Sequence, residues 1–417
     1  MFIQRLFLPI FLCLTFALDA EGQNLLNNYQ QFMEAYNQKD YNRCAQVGVA
    51  LARSTNHPGI QYKLAECLCQ SGQTDASLAM LELLAKRGLT YSIEENKGFS
   101  LLHNDTRFIK NVQAFKKNRT VIDKSIVSFV VNDSLLIPEG IAYDSQRKTF
   151  YIGSLAKNKV ISCSGTGDCT NFATGLASGF WMALGMKVSP DQKSLWICSA
   201  SERDSINGYA GIFQFEIPSG NLLRQFTVDN KNGPHLFNDI VFTPSGAIYF
   251  TDSKGGQVWQ IAPGSDSLTT FAAGYIYPNG IAIDEANKLL FVADFTGLHK
   301  IDLETGKSTV INDQGITYLN GIDGLYFYKG SLIAIQDSGN QDDRIVRFYY
   351  DVKKGIITKV RTLQSFRKDF ITPTTGTIID DQFHYIANAQ LRSLQPDGSL
   401  TNPEKLVKPV ILKLKLD

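Results

Sequence analysis

Apolar positions follow two different periods along this chain. From about Asn24 to Asn118 they fall at helical spacing: Phe32, Ala35 and Tyr36; Cys44, Val47, Ala50 and Leu51; Tyr62, Leu64, Ala65 and Leu68; Ala76, Leu78, Leu81 and Leu84. The turns Asn37-Gln38-Lys39-Asp40 and Gln70-Ser71-Gly72-Gln73 separate these stripes by about 33 residues, close to the tetratricopeptide period. The region therefore predicts helical hairpins, weakly tetratricopeptide-like, that either cap a second domain or present a groove to a protein partner.

Beyond residue 126 the period falls to two, and one short phrase recurs six times, each time opening a strand. The copies are Pro138-Glu139-Gly140-Ile141, Leu184-Gly185-Met186-Lys187, Asn238-Asp239-Ile240-Val241, Asn279-Gly280-Ile281-Ala282, Asp323-Gly324-Leu325-Tyr326 and Thr375-Gly376-Thr377-Ile378. A second apolar strand follows each, such as Phe150-Tyr151-Ile152 or Ile248-Tyr249-Phe250, across breaks with hairpin chemistry. Repeats of roughly 40 to 50 residues holding about four strands predict a six-bladed β-propeller. Ile126–Val131 and Val410–Leu414 are the strand candidates that would close the ring from both ends. The expected organisation is a signal peptide (1–20), a helical domain (21–118), a linker (119–125) and the propeller (126–417).

Composition narrows the function. Lys plus Arg total 41 against 40 Asp plus Glu, a net charge of +1, which gives no concentrated basic surface for nucleic acid. Arg5 followed by the apolar run Leu6 to Leu18 has the length of a secretory signal, and no other stretch reaches the ~18 apolar residues of a membrane span. Secretion or a periplasmic location is expected, without stable membrane insertion. Six cysteines would remain after cleavage. Cys163 and Cys169 flank a hairpin loop and are placed to bridge it, Cys44 is placed to meet Cys67 or Cys69, and buried free thiols are the alternative. Asn104, Asn118 and Asn132 head glycosylation sequons.

In a propeller the first strand of each blade lines the central tunnel, so the residues at the head of the six phrases converge on the axis. They are Glu139, Leu184, Asn238, Asn279, Asp323 and Thr375. Four carry hard oxygen donors, and two carboxylates with two amide oxygens neutralise and partly coordinate a calcium ion or another divalent cation. Such a column leaves coordination open for water and substrate. Trp181 and Leu184, with Phe180 and Met182, and Tyr275, Tyr277 and Tyr318 before later inner strands, suggest an apolar mouth. His235 and Thr375 are further candidates to touch substrate. Asp252, Asp294, Asp337 and Asn388 end second strands and read as turn-capping groups.

The phrases Pro138-Glu139-Gly140, Phe237-Asn238-Asp239-Ile240, Pro278-Asn279-Gly280-Ile281-Ala282 and Asp323-Gly324-Leu325 resemble the calcium-ligand strands of the gluconolactonase and regucalcin (senescence marker protein) family. Diisopropylfluorophosphatase and the paraoxonases are similar more distantly. The resemblance covers about residues 126 to 400. It implies a catalytic calcium on the axis and hydrolysis of lactones, esters or organophosphates, with Glu139, Asn238, Asn279 and Asp323 as metal ligands and Asp323 as base or nucleophile. Glu139 and Asp323 would thus form the catalytic pair. Leu184 departs from the family, where an asparagine contacts substrate, and no histidine stands in the place of the paraoxonase dyad. The alternatives are a calcium-stabilised propeller that acts as a binding or scaffold protein, and an enzyme resembling strictosidine synthase.

Overall fold

The computed structural model describes residues 20–201, 208–337 and 342–416. The expected signal peptide, with Cys13, lies outside the described residues. Helical spacing is realised in the helices Ala20–Asn37, Tyr41–Thr55, Pro58–Gln70, Thr74–Lys86 and Thr106–Asn118. Their starts are locally specified. The Asp40 carboxylate accepts from Arg43 N, Asp105 accepts from Arg107 N, and Pro58 occupies a first turn whose cap is His57 Nδ1.

The stripes then meet as packing. Phe32, Ala35, Cys44, Leu51, Leu64 and Leu68 form one cluster, and Leu78, Leu81 and Leu84 join Phe99, Phe108 and Phe115 in a second. Of the two pairings open to Cys44, the disulfide goes to Cys67, and Cys69 stays a buried thiol. Asn118 is an unsuitable glycosylation site, because its amide is spent on the Ala85 and Leu89 carbonyls.

Among the described residues the period-two region forms six four-stranded antiparallel sheets. Their innermost strands are Pro138–Asp144, Met182–Val188, Phe237–Phe242, Ile281–Asp284, Ile322–Tyr328 and Gly376–Ile379, and we number the blades 1 to 6 in that order. Blade 6 closes the ring as the pattern predicts. Its outer strand, Ile126–Val130, precedes blade 1, and Val410–Lys415 lies between it and Gln382–Ile386. The second disulfide, Cys163–Cys169, crosses the outer hairpin of blade 1.

Within a blade the strands alternate in direction. The loops that lead into inner strands therefore share one face with the hairpins between second and third strands, and inner strands begin at that face. The helical layer docks there, over blades 4 and 5. Leu26 packs on Ile276, His57 stacks on Phe295 at 4.5 Å between ring centroids, and Asn320 donates to the Thr55 carbonyl. Arg87, 1% exposed, forms the centre of the joint. Its guanidinium donates to Gln61 Oε1, the Asn56 and Thr317 carbonyls, and Asp313 Oδ2 at 3.2 Å. Nearby, the Thr90 hydroxyl donates to Asp342.

Candidate functional site

Four of the six column residues sit at breaks in strand pairing. The ladder between first and second strands shifts register between Pro138 and Ile141, Ala183 and Met186, Phe237 and Ile240, and Ile322 and Leu325. Each shift brackets Glu139, Leu184, Asn238 or Asp323. A β-bulge takes its residue out of the regular ladder and re-aims it, so four of the column residues are freed from the side-chain alternation of their strands. Asn279 lies two residues ahead of its strand, with its backbone N–H donating to the Ala293 carbonyl.

A second local device recurs one step upstream. Ile137, Tyr277 and Gly321, each two residues before a column residue, have φ of 46°, 54° and 68°. For the β-branched Ile137 this left-handed backbone costs on the order of 1–3 kcal/mol, the kind of strain that collects at functional sites. The glycines that follow the column residues have a steric reason. A methyl group on Gly140 would clash with the Leu184 carbonyl oxygen, on Gly185 with that of Asn238, and on Gly280 with that of Asp323.

Polar contacts complete the collar. Asn279 Nδ2 donates to Asp323 Oδ1 at 2.9 Å, which joins blades 4 and 5. Thr251 Oγ1 donates to the Asn279 carbonyl and Ser253 Oγ to that of Pro278, which joins blades 3 and 4. Thr375 Oγ1, with Thr374 Oγ1, donates to the Glu139 carbonyl and joins blade 6 to blade 1.

These bonds also orient the donors. The amide nitrogens of Asn238 and Asn279 are committed to Ser253 Oγ and Asp323, which leaves their carbonyl oxygens for a ligand. Glu139 is buried, and its Oε2 has no hydrogen-bond partner. Loss of water, with Asp323 and Asp239 close by, pushes the Glu139 carboxyl well above the usual range. Burial pushes Asp323 up to about 7 against the opposing bond from Asn279, and Asp239 and Asp337 add to the rise. An orphaned carboxylate oxygen, facing carboxylates and two amide oxygens suit a hard divalent cation. Among the described residues no three His, Cys, Asp or Glu side chains converge as a ligand group, so such a cation would depend on the asparagines.

The other candidates divide. Leu184 is buried in the core around Ile137, Leu155 and Trp196. Trp181 is half-buried and its backbone N–H donates to Ser199 Oγ. His235 lies over blade 3 with Nδ1 2.5 Å from Asp252 Oδ2. Thr375 commits its hydroxyl proton to the collar. The apolar mouth loses three expected members besides Leu184. Phe180 is buried against Phe213 and Phe215. Tyr275 is packed between blades 3 and 4, and Tyr318 is sealed beneath the helical layer with Arg344 over its ring. Asp252 and Asp294 do hold turns, taking the backbone N–H groups of Leu236 and Gly255, and of Ile276 and Gly297.

Sequence reasoning gave no role to three residues near the axis. Asp239 takes the glycine column in blade 3 and is buried. Lys187, on the inner strand of blade 2, places Nζ 4.9 Å from the ring centroid of Tyr326 in blade 5. The aspartate was visible as the one acidic residue among glycines. Nothing in the linear pattern says that Lys187 crosses the tunnel. At the entrance, Asp343, pushed up to about 8 by burial and by Asp337 and Asp342, borders a cavity of about 440 Å³ lined also by Phe366, Phe370, Thr372 and Arg392.

Comparison with known proteins agrees with the class this architecture defines. Residues 137–314 match the model of the SMP-30/gluconolactonase/LRE-like region. That span holds blades 1 to 4 and three of the four oxygen-bearing column residues, with Asp323 just beyond it. In these blades the chain is gluconolactonase-like in sequence.

Among curated relatives, the lactonase drp35 of Staphylococcus aureus strain MW2 is 29% identical over 133 residues, covering 30% of this chain and 39% of that one. The lactonase drp35 of Staphylococcus haemolyticus is 24% identical over 192 residues, covering 43% and 55%. The matches thus span about half or less of the relatives' own length. Among solved structures, a Xanthomonas campestris gluconolactonase aligns with a TM-score of 0.48 and 15% identity over 71% of this chain and 97% of that one. A calcium-binding regucalcin from Agrobacterium tumefaciens aligns with a TM-score of 0.49 and 17% identity over 70% and 95%.

Proposed function

We propose that this protein is a calcium-dependent hydrolase of lactones or related esters, with the cation held on the propeller axis by Glu139, Asn238, Asn279 and Asp323. The observation that carries the reading is the buried Glu139 carboxylate, whose Oε2 lacks any partner while Asp323 lies close enough to raise its pKa. A bound cation would supply Lewis-acid polarisation of the substrate carbonyl.

The chain's own residues do the rest. Glu139 is enclosed and serves as an anchor. Asp323 and Asn279 keep partial exposure on the entrance side, so Asp323 is the carboxylate a substrate can reach. It accepts a proton from water or attacks the carbonyl directly. The Asn279 amide donates to Asp323 Oδ1 and fixes which oxygen faces outward. The cavity beside Asp343 offers phenylalanine rings for the body of a substrate and Arg392 for a polar edge.

We also propose export, which the apolar N-terminal run and the two disulfides support. The helical layer borders the entrance and is a candidate surface for a protein partner.

A panel of aliphatic, aromatic and sugar lactones assayed with calcium and with chelator tests the reading, together with calcium calorimetry. Asp323→Asn should abolish turnover, and Glu139→Gln should weaken calcium binding at least tenfold, about the worth of a charged ligand contact. Full activity in Asp323→Asn ends the proposal. A calcium-dependent melting temperature without turnover on any lactone or ester would instead favour a scaffold role.

A further inference from the structure

Three carboxylates approach the axis at the level of the column: Glu139, Asp323 and Asp239, the last two both acting on the first. Asp239 differs from the others in having a backbone N–H on each of its carboxylate oxygens. Its Oδ1 accepts from Ile240 N at 2.9 Å and its Oδ2 from Ile281 N at 3.4 Å, and its backbone N–H donates to Thr251 Oγ1. It is also the carboxylate whose charge acts on Lys187.

Lys187 has an unusual position. Blades 2 and 5 are three steps apart in a ring of six, so they face each other across the tunnel. The approach of its ammonium to the face of Tyr326 means that the side chain spans the axis. Tyr326 is held in turn from blade 6, where Gly376 N donates to its hydroxyl oxygen at 2.6 Å. Lys187 and Tyr326 thereby floor the site. The facing groups are then Glu139, Asp239, Asp323 and Lys187, with the Cys198 thiol and the Tyr326 phenol held protonated by burial and by these same carboxylates. Asp337 lies toward the entrance beside Arg392.

We propose that Lys187 is a built-in counter-cation that cancels Asp239 and so sets the charge presented to the axial divalent cation. With all three carboxylates ionised, as a bound divalent ion would hold them, three negative charges and one positive leave a net charge of −2, which that ion neutralises. This inference rests on the cation reading above and adds to it a residue outside the ligand set. Lys187 acts through the field at the site and touches no ligand of the cation.

Calcium calorimetry at pH 8 on the full chain separates the two ideas. Lys187→Met leaves the charge at −3 and should bind calcium about tenfold or more tightly. Asp239→Asn leaves it at −1 and should bind about tenfold more weakly. The double variant should return near the wild-type affinity, and Lys187→Arg should stay close to it. A merely structural role would not make the loss of a buried contact tighten binding. Wild-type protein that binds no calcium overturns the cation reading and this one with it. Wild-type binding with Lys187→Met and Asp239→Asn unchanged overturns only the role of Lys187. Should Lys187→Met fail to fold, Lys187→Gln and Asp239→Asn decide on the same criteria.

Discussion

At the scale of single residues, the collar trades side chains for proximity. Gly140 carries no Cβ because the Leu184 carbonyl oxygen of the next blade occupies that space. Gly140→Ala should therefore cost about 2–3 kcal/mol, read as a lowered midpoint of thermal or urea unfolding. Gly165→Ala, where the added methyl would meet nothing within 4 Å, should be close to neutral in the same measurement. The oxygen-bearing column was legible because its members share one register in successive repeats, and a shared register survives translation into a ring. Lys187 was not legible, because a lone lysine in an apolar strand has no repeat partner to reveal its direction. Tyr275 and Tyr318 misled for a related reason. A tyrosine before an inner strand can turn inward between blades or up against a neighbouring layer, and only the packing decides.

At the scale of elements, the helix that starts at Pro58 is capped by a histidine that also stacks on the propeller. Loss of water and the nearby Arg87 guanidinium lower the His57 pKa to about 4. The unfolded chain, with an ordinary value of about 6.5, takes up the proton first as pH falls. Stability from this residue is thus complete above about pH 6.5 and is lost on acidification toward pH 4. Since the ring is only partly buried, the loss should be about 1–2 kcal/mol. His57→Asn keeps a side-chain cap and should show a flatter dependence between pH 7 and 4.5 in chemical unfolding followed by circular dichroism. An equal slope in both proteins would remove His57 from the account. Strand order was readable from hairpin chemistry and period two, and the closing blade from apolar runs at both ends. The bulges were not readable, since a one-residue register shift leaves the apolar alternation on either side intact.

At the scale of the whole molecule, the helical layer and the propeller share a fully buried ion pair. Arg87 and Asp313 sit at 3.2 Å with both side chains almost without solvent. Arg87→Met leaves Asp313 buried beside an apolar chain and should cost about 3–5 kcal/mol. Because the layer covers loops that lead into blades 4 and 5, the same variant should loosen the approach to Asn279 and Asp323. Limited proteolysis after residue 118, compared between wild type and variant, reads the first effect, and calcium affinity reads the second. Unchanged proteolysis and affinity would mean that the remaining contacts, Leu26 on Ile276 and the Asn320 and Thr90 hydrogen bonds among them, hold the layer without the ion pair.

The seam in blade 6 governs how the ring can come into being. Val410–Lys415 must enter between a strand made some 280 residues earlier, Ile126–Val130, and its near neighbour Gln382–Ile386. Until that late insertion, Ile126–Val130 has no partner in its own sheet, and the Thr375 bond to Glu139 across the seam has no closed circle to secure. During synthesis the oxygen-bearing residues of blades 1, 3, 4 and 5 all emerge before the circle shuts, so the collar they share becomes complete only once Val410–Lys415 has been inserted.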